Sequence, residues 1–110
     1  MGGQDEAIAR VARVILVTSI REDATMVTLD VGEQGVTVKY RIADAWHDRM
    51  NIPDSVWAPL REELARRAGV RLDDLTDEPA VIPITWEGRT CTFKAVLGPE
   101  HISLERIAVK

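Results

Sequence analysis

Thr25-Met26-Val27-Thr28-Leu29-Asp30-Val31, then Gly32-Glu33-Gln34-Gly35, then Val36-Thr37-Val38-Lys39-Tyr40-Arg41-Ile42: the fold is decided in this stretch. Apolar residues alternate with polar ones on both sides of a glycine-bounded turn. Val27, Leu29 and Val31 fall on one face of the first run, and Val36, Val38, Tyr40 and Ile42 on one face of the second. A period of two interrupted by a short turn is a β-hairpin with one buried and one wet face. The wet face of the second strand carries Thr37, Lys39 and Arg41. Residues two apart project to the same side, so the two cations stand together. The plain reading is a solvated sheet face, and the functional one is contact with an anion or a partner.

Upstream, Ala7 to Glu22 places Ile8, Val11, Ala12, Ile15 and Ser19 at helical spacing, with Arg10, Arg13 and Arg21 elsewhere on the cylinder. This is an amphipathic helix, although its β-branched centre would also suit a buried strand. Downstream, Ala45 to Ile52 reads as a third strand with Trp46 and Met50 on one side and His47 and Arg49 on the other, stopped by Pro53. Asp54 is placed to cap a second helix with the apolar stripe Trp57, Leu60, Leu64, Ala65 and Ala68, closed by Gly69. Pro59 moves the regular start of that helix towards Ala58, because a proline past the first turn clashes with the carbonyl four residues back. Glu62 with Arg66, and Glu63 with Arg67, are spaced as solvent-facing pairs.

Arg71 to Pro79 is an acidic, turn-like loop. Alternation then returns. Ile82, Ile84 and Trp86 share one strand face, Glu87-Gly88 turns the chain, Cys91, Phe93 and Ala95 share the next, and Ile102 and Leu104 begin the last. Pro83 inside a strand calls for an edge position, where its missing N–H does no damage. The expectation is a single α+β domain over residues 1–110, an antiparallel sheet of about six strands with two main helices packed on it.

At 110 residues the chain matches one ordinary domain. With 45% hydrophobic and 29% charged residues it has the composition of a folded globule. A net charge of -4 argues against a nucleic-acid surface, which needs clustered Lys and Arg. Cys91 is the only cysteine, so no intrachain disulfide forms, and a reducing, cytoplasmic setting is expected. The apolar run Val14-Ile15-Leu16-Val17 is too short for membrane insertion.

No catalytic constellation is apparent. His47 and His101 lie in no nucleophile-elbow motif, and Cys91 alternates with Phe93 as a buried, hydrophobe-like thiol does. Asp44, His47 and Asp48 form the one candidate metal group, without a second His or Cys at ligand spacing. The run Asp73, Asp74, Asp77, Glu78 lacks the glycine and terminal Glu of a calcium loop. No glycine is followed by Lys and then Ser or Thr, so there is no phosphate-binding loop, and the dinucleotide fingerprint is missing too. A non-enzymatic protein without a cofactor is expected.

The hairpin, Ala24-Thr25-Met26-Val27-Thr28-Leu29-Asp30 followed by Gly35-Val36-Thr37-Val38-Lys39-Tyr40-Arg41-Ile42, resembles the N-terminal domain that precedes the motor in type II secretion and type IV pilus ATPases. That family reads A-S-D-I-H-I-E, a four-residue turn ending in Gly, and V-R-V-R-Y-R-I-D-G. The order continues: Met50 to Pro53 and the helix ending Arg67-Ala68-Gly69-Val70 resemble its L-P helix and L-A-G-L ending. Gly88-Arg89 to Ala95 resembles G-x-x-V-D-F-R-V, and Leu104-Glu105-Arg106-Ile107 resembles the closing L-R-I strand. The resemblance covers nearly the whole chain from the first helix. Departures stand beside it: Met26 and Thr28 replace the Asp and His, Thr37 replaces the first Arg, and Ala43-Asp44 replaces D-G. Leu75-Thr76-Asp77-Glu78-Pro79 stands for R-R-x-P-Q-D-G, and Gly98-Pro99-Glu100-His101 for the loop with H-G-E-K.

The resemblance implies a PAS-like fold seated against a neighbouring subunit's motor in a hexameric ring, with Lys39 and Arg41 inheriting the place of nucleotide-proximal arginines. The leading expectation is therefore a non-catalytic docking or regulatory domain whose partner is a protein such as a secretion or pilus motor ATPase. Self-association is compatible with it, and nucleic acid is not a partner. The runner-up is a PAS-like sensory module binding a small ligand between sheet and helices, with Trp46, Trp57 and Trp86 near the pocket.

Overall fold

The strands expected from alternation, and the helices between them, are all present in the computed structural model, which describes residues 2–74 and 80–109. Helix α1 (Gly2–Arg21) leads into a meander of β1 (Met26–Gly32), β2 (Gly35–Ile42) and β3 (Ala45–Ile52). A 3-10 turn (Asp54–Val56) and helix α2 (Trp57–Arg67) follow, then a second 3-10 turn (Leu72–Asp74) and the meander β4 (Ala80–Trp86), β5 (Arg89–Leu97) and β6 (His101–Val109). The expected loop over Arg71–Pro79 is described only to Asp74, and the rest of it lies outside the described residues.

The strands form one antiparallel sheet in the order β3-β2-β1-β6-β5-β4. The first and last strands are thus its central pair, joined from Met26↔Glu105 to Asp30↔His101. The connection from β3 to β4 must cross the whole sheet, about 24 Å at five steps of ~4.8 Å. Helix α2, ~16 Å long at 1.5 Å per residue, covers most of that span on the same face as α1. Both helices therefore lie on one side and the other side is open. Pro83 sits on edge strand β4, as its missing N–H requires.

Turn chemistry fixes the register. Gly32 and Gly35 pair across the first hairpin, and Gly35 has φ +115°. A Cβ there would stand 2.5 Å from the Ile52 carbonyl oxygen, so the end of β3 crosses where only glycine fits. Ala43 and Asp44 (φ 52° and 66°) and Glu87 and Gly88 (φ 49° and 77°) both have positive φ at two successive positions, the type I′ geometry that matches strand twist. Ala43 holds that conformation without the glycine or asparagine that eases it.

Two bulges revise the sequence reading. The β2–β3 register passes from Val38↔Met50 to Lys39↔Asp48, leaving Arg49 unopposed. Beyond that step the faces exchange, so Trp46 lies on the open side while Met50 lies with the core; the expected shared side is not found. Arg49 meets Glu22 at 3.1 Å. In β5–β6 the register passes from Thr92↔Ala108 to Phe93↔Arg106, and unopposed Ile107 is 52% exposed.

Helix α2 also departs from expectation. It begins at Trp57, and no side chain among the described residues caps it; Asp54 opens the preceding 3-10 turn instead. Pro59 falls in its first turn, where the missing N–H would have had no helical partner. Gly69 has the expected left-handed φ of +71°. Glu63 is buried, not solvent-facing, and binds both Arg67 (2.9 Å) and Arg66 (3.0 Å), so the expected Glu62–Arg66 pair is replaced.

The core lies between the helices and the inner sheet face. Ala12, Ile15 and Leu16 of α1 and Leu60 and Leu64 of α2 are fully buried, as are Val27, Leu29, Val36, Val38, Phe93, Ile102 and Leu104 of the sheet. Cys91 is buried among them. Tyr40 is fully buried and its hydroxyl donates to the Ile15 carbonyl oxygen at 3.1 Å. Burial pushes its pKa well above the ordinary tyrosine value, which keeps the phenol protonated as that donor requires. No helix among the described residues is long and apolar enough to cross a membrane.

Candidate functional site

Strand β2 alternates buried Val36, Val38 and Tyr40 with Thr37, Lys39 and Arg41, so the two cations singled out by sequence do stand on the open face. Their neighbours follow from register. Lys39 is flanked by Thr28 on β1 and Asp48 on β3; Arg41 is flanked by Met26 and Trp46; Thr37 by Asp30 and Asn51. Directly opposed side chains lie about 5 Å apart at Cβ, close enough to interact. Arg41 also approaches Asp44 at 3.8 Å, with side chains 44% and 95% exposed. An ion pair so wet contributes little.

Across the seam the same face continues through Asp30, whose carboxylate lies 2.5 Å from Nδ1 of His101, and through Met26↔Glu105 and Lys94↔Glu105. The row running over Arg41 thus reads Trp46, Arg41, Met26, Glu105, Lys94, Val81 from edge to edge. Each cation has a carboxylate or an aromatic beside it. Such alternation suits a protein surface of mixed charge better than a phosphate group, which is held by converging donors without interleaved acids. Large apolar side chains are distributed over the same side: Trp46 is 47% exposed, Val81 46% and Val96 50%, with Ile107 exposed at the second bulge.

Other expected groupings do not assemble. The three tryptophans fail to line one pocket, because Trp46 is on the open side while Trp57 and Trp86 pack with the core. Trp57 is anchored by its indole N–H to the Pro99 carbonyl oxygen at 2.8 Å. The small-ligand reading therefore loses the convergence it rested on. Asp44 lies in the β2–β3 turn, and His47 and Asp48 are on opposite faces of β3. Among the described residues no three His, Cys, Asp or Glu side chains are grouped to hold a metal ion.

Two features escaped the sequence reading. Arg61 reaches over the β5–β6 turn, donating to the carbonyl oxygens of Gly98 (2.7 Å) and Leu97 (3.1 Å). The outward side of α1 forms a groove with Trp86, lined by Arg10, Arg13, Val14, Val17, Thr18 and Arg21. The signal for the groove was available: those α1 positions fall at i, i+3, i+4, i+7, i+8 and i+11, a second stripe beside the core one. No family model matches the chain, and no curated protein matches it in sequence.

Proposed function

We propose that this chain is a non-catalytic interaction domain of the kind that precedes the motor in type II secretion and type IV pilus ATPases, working in the cytoplasm. It docks on a motor or assembly partner through the open face of its sheet, with Lys39, Arg41 and Trp46 as the contact centre. The observation that carries this reading is the one-sided sheet: six strands covered by helices on one face only, with half-exposed Trp46, Val81 and Val96 on the other. Exposed apolar groups set among charges on a broad, flat surface are what partner-binding sites present.

The strand edges support the same reading by being poor sites for adding a strand. β4 carries Pro83, and β3 carries the Arg49 bulge within His47-Asp48-Arg49. Proline, bulges and charge each discourage edge pairing. Contact is thereby directed to faces. The PAS-like description and the link to a motor rest on the hairpin and strand motifs quoted above.

The test mixes the purified domain with a secretion or pilus motor ATPase from the same cell and measures binding by interferometry. Lys39→Glu with Arg41→Glu is expected to weaken binding at least about tenfold, since unlike-charge contacts become repulsive. Their effect on the urea midpoint is expected to correspond to less than about 0.5 kcal/mol. Equal binding by wild type and the folded double variant would remove this face as the contact.

A further inference from the structure

The helix side of the molecule carries a groove separate from the open sheet face. Arg10, Arg13 and Arg21 form no ion pair or side-chain hydrogen bond among the described residues, whereas Arg61, Arg66 and Arg67 of α2 are all bonded. These three arginines rim a groove of about 310 Å³ floored by Val14, Val17 and half-buried Trp86. Val14 is 46% exposed although it lies one residue from the core. Arg10 and Arg21 are eleven positions apart, which on a helix spans ~16 Å, or three turns.

We propose that this groove binds an acidic amphipathic helix of a partner protein, its apolar stripe lying on Val14, Val17 and Trp86 and its carboxylates meeting Arg10, Arg13 and Arg21. Five considerations select that occupant. Apolar residues at helical spacing along a groove are the receiving half of helix-in-groove recognition. A partly buried tryptophan with flanking arginines is the composition of an interface anchor. The free charges here are positive on a chain whose net charge is -4, so attraction to an acidic segment is local and directional. A second copy of α1 laid antiparallel about Val14 and Val17 would set Arg10 against Arg21 of the other copy, and like charges oppose it. A membrane surface fits less well because the apolar residues are two valines and a recessed indole, not bulky side chains projecting from the helix.

The experiment uses three cross-linked helical 16-mers with leucine at i, i+3, i+4 and i+7 and with Glu, Gln or Lys at the flanking positions. Fluorescence anisotropy against the intact domain should rank them Glu, then Gln, then Lys, and raising salt should narrow the gap. Arg10→Glu with Arg13→Glu should weaken the Glu peptide by about tenfold or more and strengthen the Lys peptide. Trp86→Ala should weaken both the Glu and Gln peptides, with circular dichroism confirming that the domain remains folded. An unranked series, or a ranking that the double charge reversal does not invert, overturns the proposal. So does tighter binding of the domain to phosphatidylserine vesicles than to the Glu peptide, which would make the surface a membrane contact. A concentration-dependent dimer abolished by Val14→Glu and blind to all three peptides would overturn it in favour of self-association.

Discussion

The two helices use the same kinds of residue to opposite ends. In α2, Arg61 holds the Leu97 and Gly98 carbonyls, Arg67 bridges Glu63 to the Ala9 carbonyl of α1, and Trp57 is tied to Pro99. Its polar side chains bind the helix to the far end of the sheet and to its neighbour. In α1 the backbone carbonyls of Ala9 and Ile15 receive Arg67 and Tyr40, while Arg10, Arg13 and Arg21 form no ion pair or side-chain hydrogen bond among the described residues. The difference follows from topology. Helix α2 carries the chain between opposite edges of the sheet and needs fixed ends, whereas α1 leads by a short turn into β1 and is held on the sheet by its apolar stripe. An arginine at helical spacing is thus a clasp in one place and a free charge in the other.

The contrast breaks most severely at Trp57. Truncating this buried, hydrogen-bonded indole to alanine is expected to cost about 3–5 kcal/mol. Trp46→Ala, on the open face, should cost under about 0.5 kcal/mol. Urea midpoints of the two variants measure the difference directly. Similar losses would mean that Trp46 is covered in solution, by self-association or by a change in the β3 register.

A smaller separation is expected between arginines. Arg61→Ala leaves two part-buried carbonyls without their charged donor, and hydrogen bonds to charged groups contribute about 1.5–3 kcal/mol. Arg13→Ala removes an unbonded side chain and should stay within about 0.5 kcal/mol. Thermal or urea unfolding compares them, and equal effects would contradict the division between clasp and free charge.

How much of this was legible in sequence depends on whether it was periodic. Alternation at Val27, Leu29, Val36, Val38 and Tyr40 located β1 and β2 and their buried face, and Pro83 located an edge. Lys39 and Arg41 were placed on the correct face by the same period. Nothing in the residues around Arg49 announces a bulge, and one unopposed residue was enough to move Trp46 to the other side of the sheet. Glu63 was misread because its i+4 partner is equally available to a wet pair, and only the packing of α2 beneath α1 shows that it is buried. The Arg61 clasp joins residues 36 and 37 positions apart and has no local signature. The α1 groove was periodic and still overlooked, since a second stripe of valines among arginines resembles an ordinary solvated face.

The mildest test of the comparison lies inside α1. Ser19 is fully buried and its hydroxyl has no hydrogen-bond partner among the described residues. A helical serine ordinarily turns back to the carbonyl four residues earlier, here Ile15. That oxygen already accepts the Tyr40 hydroxyl at 3.1 Å in addition to the helical N–H, and a carbonyl has two lone pairs. Ser19→Ala removes a buried polar group that is not bonded, so it should be neutral or stabilise by about 1 kcal/mol. In Tyr40→Phe the Ile15 carbonyl becomes available and Ser19 can take it. There, Ser19→Ala should turn destabilising by about 1 kcal/mol, a sign change that two independent sites cannot produce. Additive effects in that double-mutant cycle would show that the two hydroxyls do not compete. The orphaned hydroxyl would then require another explanation, such as a bound water.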